Sequence, residues 1–267
     1  RCIVGERSRL RISRSKLQCI WKCIELKDLS QIAVYSSHLQ GYRDMCLALS
    51  STSGTVTDCT ALSSPGEPCG FFPLDPKGEH KGLFGAGATV RLSGGSQLLV
   101  KNTDVLGGKI LHDYGVNVDL GSSAKFVSSG GGHTIRGGAF PAVQCLGEGS
   151  FVQVVGYEAI NCHNLQTIVC GDGGRVVLSG IETIDTPDQE AIQVHSGGVV
   201  EVEDSGEIRG NTWGAVVREG STLLLSRIRL VEGMGEDGIL LESASTLTAE
   251  DVTGVLGVKS GIVSKEA

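Results

Sequence analysis

The amino-acid sequence predicts an all-β fold, a single-stranded right-handed parallel β-helix with three short strands in each coil. Three observations support this prediction. Apolar residues alternate with polar residues at a spacing of two, which is the period of a strand and not of a helix. Pairs of such apolar residues recur every 23–27 positions. Gly and Ser separate the pairs, and 39 glycines with only 6 prolines are typical of many tight turns.

The repeat is clearest at 191–202, where Ile192 and Val194 precede a Ser-Gly-Gly turn and Val200 and Val202 follow it. One coil cannot bury its own apolar face, so equivalent side chains of neighbouring coils must stack ~4.8 Å apart. The first-strand positions that we expect to stack are Val90, Val116, Val143, Ile168, Ile192, Ala215 and Ile239. The third-strand positions are Val105, Ile135, Ile160, Ile184, Ile208, Ile228 and Val252.

The chain divides into three parts. Residues 89–267 carry the regular repeat, whereas residues 1–62 carry less regular coils. Residues 63–88 contain four of the six prolines and are expected to form a loop or insertion. An alignment of the first part with the repeat places Leu10, Ile12, Leu17, Cys19 and Ile24 on Val90, Leu92, Leu98, Val100 and Val105.

Charge and cysteine content limit the function classes. Residues 89–267 hold 12 Lys and Arg against 22 Asp and Glu, so we expect no nucleic-acid partner for this acidic body. The basic cluster from Arg7 to Lys16 is interpreted as a solvated strand face, with an anionic partner or a targeting remnant as the alternatives. Nine irregularly spaced cysteines indicate buried reduced thiols and no metal site, which favours an intracellular reducing compartment. No apolar stretch is long enough for a transmembrane helix.

The segments WGAVVREGS at 213–221 and DGILLESAS at 237–245 place an apolar-x-apolar strand between Gly and Gly/Ser corners. In this respect the chain resembles the right-handed parallel β-helix superfamily of pectate-lyase-like folds, and its repeats are similar to those of β-helix-bearing F-box substrate receptors. The resemblance covers residues 89–267 well and 1–62 loosely. It implies the architecture but not the activity, because this fold hosts enzymes, adhesins and scaffolds.

Enzymes of that superfamily provide signatures to test. Polygalacturonase-like members carry Asn-Thr-Asp, Asp-Asp and Gly-His-Gly blocks, and this chain has only the first, at 102–104. Asp104 is therefore interpreted as a turn-capping residue. Pectate lyases bind Ca²⁺ through several acids, but Glu201 has no acidic neighbour on the adjacent coils, so we expect no metal or other cofactor. The histidines His112, His133, His163 and His195 are expected to be polar loop residues without a paired nucleophile.

A sugar-binding site is the main carbohydrate hypothesis. Glu207, Arg209 and Trp213 lie in one corner segment, where an indole beside charged groups could stack on a sugar ring. A glycosidase needs two carboxylates ~5–9 Å apart, which acids on neighbouring coils could supply. The acids on either side of this corner are Asp185, Asp188, Glu190, Glu232, Glu236 and Asp237.

Apolar residues at outward positions indicate an interaction surface. Val216 and Leu240 occupy the outward position of the first strand, and Val177 and Leu224 that of the second. Adjacent outward apolar side chains form a candidate protein-binding patch. The favoured function is a non-enzymatic scaffold or protein-binding subunit of an assembly, through a partner or self-association. The alternatives are a carbohydrate-active or polysaccharide-binding protein, and an adhesin that would be trimeric.

Overall fold

In a computed structural model, which describes residues 2–19, 22–41, 45–64, 87–107 and 113–265, the chain forms a right-handed parallel β-solenoid. Each turn takes about 24 residues and contributes one strand to each of three sheets. The described residues form 31 strands, numbered β1 to β31 in chain order, and no helix. The predicted fold class is confirmed. None of the described segments forms a helix that could cross a membrane.

Sheet A contains eleven strands, and its inward positions form the predicted first-strand ladder. Val90 pairs with Val116, Val116 with Val143, and the ladder continues in register to Ile239. The strands are β1 (Ile3–Glu6), β4 (Ile24–Lys27), β7 (Met45–Ser50), β10 (Gly87–Ser93), β13 (Asp113–Val118), β16 (Val143–Leu146), β19 (Ile168–Gly171), β22 (Ile192–Val194), β25 (Ala215–Val217), β28 (Ile239–Glu242) and β31 (Ile262–Lys265).

Sheet B contains ten strands, each five residues long, and is the most regular of the three sheets. Val200, Leu223 and Leu247 stack in register on its inner side; the first two are fully buried and Leu247 is partly buried. The strands are β2 (Arg9–Ser13), β5 (Gln31–Tyr35), β8 (Ser53–Thr57), β11 (Gln97–Lys101), β14 (Ser123–Val127), β17 (Phe151–Val155), β20 (Arg175–Ser179), β23 (Val199–Glu203), β26 (Thr222–Ser226) and β29 (Thr246–Glu250).

In sheet C, two positions of the predicted third-strand ladder are wrong. The ladder runs from Ile208 to Val231 and Val255, and not to Ile228 and Val252. Those two residues point inward at the preceding corner, directly after residues with positive φ. The strands are β3 (Lys16–Cys19), β6 (His38–Gly41), β9 (Ala61–Ser64), β12 (Asp104–Gly107), β15 (Thr134–Arg136), β18 (Ala159–Asn161), β21 (Thr183–Asp185), β24 (Glu207–Gly210), β27 (Leu230–Gly233) and β30 (Val255–Gly257).

The N-terminal coils belong to the same three sheets as the regular repeat. The predicted alignment of Leu10 with Val90 is wrong by one strand, because Leu10 lies in sheet B and Val90 in sheet A. Ile24 is the residue in the sheet A ladder, where it pairs with Leu47. Apolar pairs look alike on all three sheets, so the pattern alone does not reveal which sheet a pair joins. Most of the predicted 63–88 insertion lies outside the described residues.

Serine and threonine hydroxyl groups bridge successive coils at the corner between sheets A and B. The Thr52 amide donates to Ser96 Oγ at 3.1 Å, and the Ser96 amide donates to Ser122 Oγ at the same distance. Ser96 and Ser122 are fully buried, so this ladder satisfies amides that would otherwise be costly to bury. Short polar side chains at the corners therefore stabilise the stack as directly as the aliphatic core.

Candidate functional site

The outer face of sheet B, meaning the side chains on its ten strands that point away from the core, is continuous along the solenoid. Alternation places the first, third and fifth residue of every strand on this face. The third residues form a central column in parallel register. From the N-terminal end, the central column is Arg11, Ala33, Thr55, Leu99, Lys125, Gln153, Val177, Glu201, Leu224 and Thr248.

The first five strands make this face basic. Arg9, Arg11, Lys101 and Lys125 are exposed on it, and none of its described positions on β2 to β14 is an acid. The Arg11 guanidinium lies 5.7 Å from the centre of the Tyr35 ring, a cation–π contact. A shallow groove of about 750 Å³ crosses these strands, where the small side chains of the central column leave space. Its lining includes Arg9, Arg11, Ala33, Thr55, Leu99, Lys125 and Phe151.

The last five strands combine apolar and acidic side chains. Val177 and Leu224, two of the predicted partner-binding residues, are half-buried in the central column. Glu201 lies between them in register and forms an ion pair with Arg175 at 2.7 Å. Arg175 is the one cation on the outer face of these strands, against Glu201, Glu203 and Glu250.

Val216 and Leu240, the other two predicted partner-binding residues, occupy the outward position of sheet A. Both are buried, at 0% and 1% exposure, so they offer no surface to a partner in this conformation. The sequence placed them correctly on the outer side, but alternation alone does not tell whether neighbouring side chains cover an outward residue.

The predicted sugar-binding residues lie on and beside the outer face of sheet C. Glu207 forms ion pairs with Arg209 at 2.9 Å and with Arg229 at 3.0 Å, and Arg209 also pairs with Glu232 at 3.1 Å. Trp213 follows β24 at the next corner, where its indole Nε1 is buried without a hydrogen-bond partner. The structure thus joins Glu207 to Arg209, and these groups already neutralise one another.

The acids on the outer face of sheet C are held by Arg209. Asp185 and Glu232 are separated by Arg209, which pairs in register with both. Burial raises the pKa of Asp185, and the positive charge of Arg209 opposes that rise. The arrangement is that of a structural ion-pair network. Among the described residues, no three His, Cys, Asp or Glu side chains are placed to hold a metal ion.

Asp104 acts as a local hydrogen-bond acceptor at the long corner of the fifth coil. Its Oδ1 accepts the Thr134 amide at 2.7 Å and lies 3.4 Å from His133 Nδ1. The buried Tyr157 hydroxyl donates to the Thr103 carbonyl at 2.9 Å, which ties the sixth coil to the fourth. The hydrogen bond from the Thr134 amide supports the interpretation of Asp104 as a turn-capping residue.

One contact was missed by the sequence analysis. His195 Nδ1 lies 3.2 Å from Ser196 Oγ, which donates to the Glu219 carboxylate at 2.7 Å. That hydrogen bond lowers the pKa of Glu219. Ser196 and Glu219 are exposed at this corner and His195 is half-buried. Ser196 donates to the acid and not to the imidazole, so this is not the Ser–His–Asp order of a hydrolase. His112 lies outside the described residues.

The described cysteines are free thiols, most of them buried. Burial raises the pKa of Cys23 to about 12 and also raises the pKa of Cys46 and Cys162. Thiols that stay protonated are poor nucleophiles and poor metal ligands. The buried cysteines serve as small apolar side chains, some on the strands of sheet A and some at the corners between strands.

No family model, no curated protein and no solved structure matches the chain.

Proposed function

We propose that this β-helix is a non-enzymatic scaffold that binds a partner protein through the outer face of sheet B. The observation that carries the proposal is the half-buried apolar column residues Val177, Leu224 and Leu99, set on a flat face with unpaired cations. No described acid lies within ion-pair distance of Arg9, Lys101 or Lys125, which leaves their charge available to a partner.

The face has the features of a protein interface. Apolar side chains at its centre gain from exclusion of water, at ~25 cal/mol per Å². Charged side chains at the border contribute orientation and association rate more than affinity. The backbone of the sheet loses little conformational entropy on binding, because all but the two end strands are paired with parallel strands on both sides.

A matched pair of variants tests the proposal. Leu224→Lys places an ammonium in the central column next to Glu201, and Leu256→Lys places one on the outer face of sheet C next to Glu232. Both leucines point outward and both have a glutamate in register. Leu256 is 53% exposed whereas Leu224 is half-buried, so the folding of each variant is measured separately. Immobilised protein is used to capture partners from an extract of the source cells.

Proteins retained by the unaltered chain and by Leu256→Lys, but lost with Leu224→Lys, would support the proposal. Equal retention by all three would contradict it. Circular dichroism and the thermal midpoint serve as folding controls for each variant.

A second candidate function is binding of an acidic polysaccharide in the groove of the basic half. Arg9, Arg11 and Lys125 together with Phe151 line that groove, and guanidinium groups pair with sugar carboxylates. Retardation of the chain in gels containing polygalacturonate, lost in Arg11→Glu/Lys125→Glu, would favour this candidate. Migration unaffected by the polymer would exclude it. The same polymer incubated with the chain tests for cleavage.

A further inference from the structure

We propose that the partner seated on the outer face of sheet B is a second copy of this chain, in an antiparallel two-fold dimer. The inference rests on the proposed function and names the occupant of the same face. The two-fold axis lies parallel to the strands, between β14 and β17. It packs the two sheets face to face with their solenoid axes reversed.

The size of the face fits a stable dimer. Ten strands ~4.8 Å apart, each with five residues of ~3.3 Å, cover roughly 43 by 16 Å, or roughly 700 Å². Stable protein interfaces bury about 800 Å² on each partner. All ten strands have the same length, and none of the described outward side chains on them is fully buried.

Charge selects the antiparallel arrangement. Among its described positions, the outer face carries four cations and no acid on β2 to β14, a net charge of +4, and three glutamates beside Arg175 on β17 to β29, a net charge of −2. The antiparallel arrangement brings these opposite net charges together, with each Lys125 opposite Gln153 of the second copy. A two-fold axis along the solenoid would instead bring the two basic halves together, which like-charge repulsion disfavours. At the ends of the dimer, Arg11 lies opposite β29, within reach of Glu250 of the second copy.

The shapes of the two halves also correspond. Reversal about this axis places β5 opposite β26 and β11 opposite β20 of the second copy. Leu224 then points at Ala33, where the groove is open, and Val177 points at Leu99. Each large apolar residue of one half therefore meets a small or apolar residue of the other, twice in a symmetric dimer.

The first experiment measures the mass of the purified chain by sedimentation equilibrium over a range of micromolar concentrations. A dimer is expected. Leu224→Lys should raise the dissociation constant at least about tenfold, or ~1.4 kcal/mol, whereas Leu256→Lys should leave it unchanged. A chain that is monomeric throughout overturns the inference. If a partner is still captured through Leu224, the proposed function survives that result.

The second experiment tests the antiparallel arrangement by charge reversal. Arg11→Glu and Glu250→Arg should each weaken the dimer, because each brings like charges together at both ends. The double variant Arg11→Glu/Glu250→Arg should recover the unaltered affinity, since exchanging the two charges restores an opposite-charge pair at each end. The antiparallel arrangement is overturned if the double variant dimerises no more tightly than the single variant with the lower affinity. A dimer insensitive to all of these changes uses another surface, which overturns the inference as well.

Discussion

The outer faces of sheets B and C belong to the same coils, but their charged side chains are paired to different extents. On sheet C, Glu207, Arg209 and Glu232 form a continuous set of ion pairs at 2.9 to 3.1 Å. On the first strands of sheet B, Arg9 and Lys125 stand without a described acid nearby. The architecture alone therefore does not decide which face interacts. A face whose charged side chains already form ion pairs gains little by binding a partner. A face with unpaired charges and partly exposed apolar side chains gains more.

The largest expected effect is a difference in stability between substitutions on the inner and the outer side of one strand, β26 of sheet B. Leu223→Ala should lower the free energy of unfolding by about 2–5 kcal/mol, because it opens a cavity among fully buried side chains. Leu224→Ala, one residue later, should change it by less than about 0.5 kcal/mol when both variants are measured at a protein concentration at which the chain is monomeric. Urea denaturation of both variants provides the measurement. Similar losses would mean that Leu224 belongs to the core and not to the binding face.

The next largest effect is a difference in stability between removing a paired cation from the outer face of sheet C and removing an unpaired one from that of sheet B. Arg209→Ala should cost about 1 kcal/mol, because it removes two ion pairs and leaves Glu207, Glu232 and Asp185 close together. Lys125→Ala removes no ion pair and should cost less than about 0.5 kcal/mol. Thermal denaturation of both variants at low and high salt tests the difference. Equal losses at low salt would contradict the distinction between the faces.

The smallest effect is a dependence on pH in sheet C. Because burial raises the pKa of Asp185, its ionisation costs stability as the pH rises through the interval between the ordinary and the raised pKa. Asp185→Asn should therefore be at least as stable as the unaltered chain at neutral pH. The difference should close as the pH falls below the ordinary value. A variant that is clearly less stable at neutral pH would show that the pair with Arg209 outweighs burial.

The fold follows from the sequence because the inward positions obey one rule throughout. The first-strand residues from Val90 to Ile239 stack as their spacing indicates, because apolar side chains fill the dry interior. The rule fails where two inward residues lie three positions apart. Ile228 at a corner and Val231 on a strand are both apolar and buried, and only the backbone distinguishes them.

The candidate site was less predictable. The sequence indicated Val177 and Leu224, because outward apolar residues break the alternation, but it also indicated the buried Val216 and Leu240. Solvent exposure of an outward residue depends on the rotamers of its neighbours, which the repeat does not encode. Of the cations of sheet B, Arg9 and Arg11 were visible in the sequence as part of the basic cluster from Arg7 to Lys16. Lys101 and Lys125 join them on one face only once the strands are assigned to sheets.

The central claim, that the outer face of sheet B is an interaction surface occupied by a second copy, can be tested in one measurement. Hydroxyl-radical footprinting reports side-chain exposure at individual residues as the protein concentration rises. The account predicts that Leu99 and Leu224 become protected together while Leu256 on sheet C stays reactive. Unchanged reactivity of Leu99 and Leu224, or equal protection of Leu256, would contradict it.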